Sequence, residues 1–78
     1  MKLYLFNYVS FGEFYLVMSE SPESAFHALI DYLKEKSKNS KIDKDNYLKW
    51  QKSSISKLPD GYSLKELVEN EVFEGEWS

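Results

Sequence analysis

Seventy-eight residues with a net charge of −3 and no cysteine allow one small domain held by apolar burial alone. A chain this short hides only about 60% of the surface its unfolded form exposes, and it has neither disulfides nor thiolate metal sites to add. All ten basic residues are Lys, which removes the planar fork that reads guanine and phosphate bidentately and makes sequence-specific DNA recognition a poor expectation.

From Lys2 to Val9 the side chains alternate, with Tyr4, Phe6 and Tyr8 on one face and Leu3, Leu5 and Val9 on the other, the period of a strand. Phe14 to Met18 continues the pattern, and Ser10-Phe11-Gly12-Glu13 has the length and the Gly of a hairpin loop. Both faces are apolar, so the hairpin is expected to be central in its sheet, with one face under a helix and the other partly covered. An uncovered second face would be a partner surface. The segment is too short and aromatic for a signal core, and no run approaches the roughly 18 uncharged residues of a membrane span. A soluble, cytoplasmic chain is therefore expected.

Ser21-Pro22-Glu23 is a helix start: the Ser hydroxyl caps a free N–H, Pro has none to waste, and Glu faces the positive end of the helix. Phe26, Leu29, Ile30 and Leu33 then recur on one helical face. The helix ends at Lys36-Ser37-Lys38-Asn39-Ser40-Lys41, a solvated loop with nothing to bury. Asp43 is read as the cap of a short second helix carrying Tyr47, Leu48 and Trp50, marginal unless those groups dock.

Pro59-Asp60-Gly61 has the chemistry of a turn. After it, Ser63 to Val68 fits either a capped helix or an alternating strand, and the strand is preferred because a lone hairpin needs a wider sheet to be stable. Glu71 to Trp77 reads as a further extended piece at an edge. The fold class expected is α+β. A small antiparallel sheet, made of the N-terminal hairpin and one or two C-terminal strands, packs against one main helix, with a short second helix, in one domain over residues 1–78.

Charge is segregated along this chain. The first 33 residues carry −3; residues 34–57 hold eight Lys against three acids, +5; residues 58–78 carry −5. His27 is the only histidine, flanked at one helical turn by Glu23 and Asp31, and it is expected to lie on a solvated helix face. No glycine belongs to a phosphate-cradling motif. Asp43-Lys44-Asp45 lacks the Gly and terminal Glu of a calcium loop. Catalytic, metal and cofactor residues are thus expected to be absent, and the protein is not expected to be an enzyme.

The leading expectation is a non-catalytic binding protein acting through protein–protein contact. Its Lys-, Asn- and Ser-rich usage suits an AT-rich genome, such as a low-GC bacterium or its phage. The chain shares only an overall look, on no diagnostic residues, with short accessory proteins of phages and mobile elements; the absence of catalytic motifs, the small size and the segregated charge motivate the expectation of an inhibitor of a host factor. Candidate partner residues are Tyr47 and Trp50 in the basic middle, with Glu71, Glu74, Glu76 and Trp77 in the acidic tail. For Tyr47 and Trp50 docking on the core is the preferred reading. Two alternatives stand beside this: Lys44, Lys49 and Lys52 could hold a nucleotide or oligonucleotide, or the chain could pair with itself through an apolar sheet face or an open edge, as a homo-oligomeric structural subunit.

Overall fold

The structure, a computed structural model, describes residues 1–9 and 12–68. Ser10 and Phe11 of the hairpin loop, and the extended piece expected over residues 71–77, lie outside these. The elements in chain order are β1 (Lys2–Tyr8), β2 (Phe14–Ser19), α1 (Pro22–Lys36), α2 (Lys41–Gln51) and β3 (Tyr62–Leu67). The strands form one antiparallel sheet in the order β2-β1-β3, and with two helices this is the expected small α+β fold. One expectation is corrected. Among the described residues only β1 is central, and β2, the second hairpin strand, lies at an edge.

Alternation in β1 sorts its side chains as the sequence implies. Tyr4 and Phe6 are buried under the helices, in one cluster with Ala25, Phe26, Leu29, Leu33 and Trp50. Leu3, Leu5 and Asn7 point to the opposite face, where the registers place them beside Met18, Leu16 and Phe14 of β2 and Leu67, Lys65 and Ser63 of β3. The sheet therefore has a helix face and a second, open face on which no other described element packs.

Helix α1 starts as predicted, with Ser21 Oγ accepting from the Ser24 N–H at 3.2 Å and Pro22 in the first turn. Helix α2 corrects the expected cap. Ser40 Oγ accepts from the Asp43 N–H at 3.1 Å and donates to Asp43 Oδ2 at 2.9 Å, so the cap lies three residues before Asp43 and the helix begins at Lys41. That start is the better one because Asp43 then lies within the first turn, where its charge faces the helix's positive end while its side chain closes back on the cap. The connection between the helices is correspondingly short.

What fixes α2 is Trp50, with 0% exposure. Its ring meets Phe6 of β1 edge-on at 5.8 Å, Tyr15 of β2 at 6.0 Å, Phe26 of α1 at 6.1 Å and Tyr62 of β3 at 4.7 Å. One side chain thus touches every other element, supplying the docking that a short Lys-rich helix needs.

After the Pro59-Asp60-Gly61 turn, closed by the Tyr62 N–H on the Pro59 carbonyl at 3.1 Å, β3 returns beside β1 as the preferred strand reading. Gly61 sits at φ 87°, and a Cβ there would lie 2.6 Å from Tyr8 Cε2. Only glycine suits both the backbone and the approach of that ring.

Candidate protein-binding surface

The described residues among those singled out in the sequence do not converge. Trp50 is buried and offers a partner no surface, while Tyr47 is half-buried against the core. Glu71, Glu74, Glu76 and Trp77 lie outside the described residues. Lys44, Lys49 and Lys52 are exposed, yet a helical step of about 100° per residue turns Lys49 about 140° away from Lys44. Lys49 instead lies over the Tyr62 ring at 5.2 Å. His27 is exposed on α1, as expected. Among the described residues no three His, Cys, Asp or Glu side chains gather as metal ligands, and no helix is long and apolar enough to cross a membrane.

Beside the core lies a polar cluster that sequence reasoning missed. Glu13 Oε1 accepts from both the Tyr15 and the Tyr62 hydroxyls at 2.9 Å, and Asn46 Nδ2 donates to the Tyr15 oxygen at 3.1 Å. This clasp joins the hairpin to β3 and α2. Burial pushes the Tyr15 hydroxyl up to about 12, with Asn46 opposing and the Glu13 carboxylate adding to the shift. Burial, followed by Glu13, likewise raises Tyr62; the Trp50 indole N–H acts the other way and is the last of these influences. That buried N–H has no acceptor at hydrogen-bond distance. Both tyrosines are held protonated well beyond neutral pH, as hydrogen-bond donors to Glu13.

The surface best suited to a macromolecular partner is β2. Phe14, Leu16 and Met18 form a row on the open face with exposures of 47%, 51% and 65%, and the exposed Met1 and Val68 extend it around Leu3 and Leu67, which with Met18 line a groove of about 440 Å³. Leu5, at 3% exposure, forms the floor beside Leu16. Large contiguous apolar surface of this kind marks interaction sites in folded proteins.

The hydrogen-bond phase of the hairpin adds a second feature. The Tyr8 N–H donates to the Glu13 carbonyl at 2.7 Å. In an antiparallel ladder hydrogen-bonded pairs alternate with non-hydrogen-bonded ones, so Tyr15 and Val17 turn their backbone groups inward, toward Phe6 and Tyr4 of β1. Phe14, Leu16 and Met18 turn theirs outward. Among the described residues no strand lies there, and a groove of about 390 Å³ runs along that edge, bounded on its far side by Ala28, Leu29 and Tyr32 of α1.

The two edges of the sheet are unlike. β3 carries Lys65 and Glu66, the kind of charge that discourages strand addition. β2 reads Phe14-Tyr15-Leu16-Val17-Met18-Ser19, six uncharged residues with no Pro. The sequence held the signal for this surface in its doubly apolar alternation, but could not say which face the helices would cover. No family model matches the chain, and no curated protein or solved structure matches it either, so its surface chemistry is what a functional reading must rest on.

Proposed function

We propose that this protein is a non-catalytic binding module that acts by protein–protein contact, and that its contact strand is β2. The observation that carries this reading is the Phe14, Leu16 and Met18 row: three large apolar side chains, each about half or more exposed, on a strand whose outer edge has no pairing strand among the described residues. Because each side chain is already partly buried, keeping the row in water forgoes roughly half of the ~1.5–3 kcal/mol that full burial of each would give, a cost that contact with a partner recovers. A cytoplasmic setting suits a cysteine-free chain, and occupying a host protein's surface is how so small a module would inhibit it.

Photo-crosslinking in the native host tests this. A photoreactive residue at Met18 is expected to give adducts with a protein partner, and one at Lys44 on α2 is not. Adducts from Lys44 with none from Met18 would move the binding surface to the basic helix and defeat the reading.

A further inference from the structure

We infer that the free edge of β2 pairs with β2 of a second copy of this chain, antiparallel across a two-fold axis at Leu16, joining two sheets into one of six strands. The inference rests on the reading of β2 as the contact strand, and names what occupies its edge.

Three observations single out a second copy. The first is the phase of the edge. Phe14, Leu16 and Met18 direct their N–H and C=O groups outward, as the Tyr8–Glu13 bond requires. A two-fold at Leu16 sets Leu16 opposite Leu16, and Phe14 opposite Met18 in both directions. All three are then hydrogen-bonded pairs, each exchanging two bonds, about six in total. No backbone has to shift.

The second is side-chain self-complementarity. Around Leu16 the strand is palindromic in character, Phe14-Tyr15-Leu16-Val17-Met18. On the open face, Phe14 meets Met18 of the other copy, a favourable thioether–aromatic contact, and Leu16 meets its equivalent. On the helix face, Tyr15 meets Val17, an aromatic–β-branched pair of the type that stabilises sheets. Beyond the strand Glu13 faces Ser19, and Glu20 faces Gly12, so no like charges oppose each other.

The third is space. The groove beside the edge is lined from both strand faces, by Phe14 and Leu16 as well as Tyr15 and Val17, so α1 stands back from the edge and leaves it open. Tyr32, 54% exposed on the groove's far wall, then faces the other copy's α1. The contact has the isologous symmetry of most soluble dimers, and the two open faces merge into one apolar surface of doubled length.

Sedimentation velocity on the full chain from about 5 µM to about 500 µM tests the pairing, because association follows mass action. The expected result is a mass that doubles from 9.2 kDa within that range. Leu16→Lys sets two ammonium groups opposite each other and is expected to return the monomer, with circular dichroism unchanged because Leu16 is half exposed. Leu16→Pro removes the outward N–H together with the Leu side chain and is likewise expected to return the monomer. Leu16→Lys mixed with Leu16→Glu is expected to restore a dimer that neither forms alone, since Leu16 meets only itself in this register. A monomer at about 500 µM, or a dimer that survives Leu16→Lys, overturns the inference. If the wild type stays monomeric while Met18 still crosslinks to another protein, the edge belongs to a foreign strand and only the self-pairing falls.

Discussion

Replacing Trp50 tests how the whole molecule is held. The ring is fully buried against Phe6, Tyr15, Phe26 and Tyr62, so Trp50→Ala should cost about 3–5 kcal/mol. A domain of this size has about 4–12 kcal/mol in hand. The variant should therefore melt about 12–40 °C lower, at about 4–8 °C per kcal/mol, or fail to fold. Trp50→Phe separates packing from polarity. It gives up a few carbon-sized groups, about 2 kcal/mol, but also removes a buried N–H that has no acceptor, returning about 1–3 kcal/mol. Its net effect should lie within about 1 kcal/mol of wild type. Urea unfolding followed by far-ultraviolet circular dichroism reads both. If Trp50→Phe proves as costly as Trp50→Ala, the orphaned N–H has been misassigned. If Trp50→Ala costs under about 1 kcal/mol, α2 is not anchored by this ring.

Alkaline titration probes the Glu13 clasp. Tyr15 and Tyr62 bind their protons more tightly folded than unfolded. Stability is thus fully present below the ordinary tyrosine value of 10.0 and is lost as pH rises toward about 12; tyrosinate absorbance and urea midpoints should move together. Glu13→Gln should shift tyrosine ionisation to lower pH, and no shift would mean that the carboxylate does not hold those hydroxyls. Ser40→Ala should destabilise α2 by about 1 kcal/mol, whereas Asp43→Ala, which leaves the cap hydroxyl in place, should cost less; the reverse order in urea melts would restore Asp43 as the cap. Gly61→Ala should destabilise by more than about 1 kcal/mol, because it meets both a left-handed φ and the Tyr8 ring. Unchanged thermal stability would contradict that contact.

Local signals accounted for several of the described elements. Ser21-Pro22-Glu23 fixed the start of α1, alternation exposed β1, and Pro59-Asp60-Gly61 marked the reversal into β3, because each depends on neighbours within a few residues. Legibility failed where two local solutions compete or where the deciding partner is distant. Ser40 and Asp43 both suit a cap, and only the folded start shows them acting together. The edge position of β2 was hidden because its pairing partner β1 has a second neighbour that arrives some 60 residues later in the chain, as the Tyr4 hydroxyl reaching Glu66 across 62 positions attests. The candidate surface was hidden for the same reason. Phe14, Leu16 and Met18 look like core residues until the covered face is known, while Trp50, with the composition of a hot spot, proves to be the core's hub.

The strand order has a further consequence in time. β1 is the first element made and β3 the last among those described, yet they are neighbours in the sheet. At about 5–20 residues per second on the ribosome, the 62 positions from Tyr4 to Glu66 take about 3–12 s to appear. Throughout that interval the nascent hairpin presents two unpaired edges: β1's, which β3 will close, and β2's, which nothing later in the described chain closes. A segment of six uncharged residues is then available to any neighbouring nascent chain on the same message. In the growing chain the geometry that suits two finished copies for pairing is also a hazard of premature pairing, so expression level and growth temperature should govern how much of this protein reaches its fold.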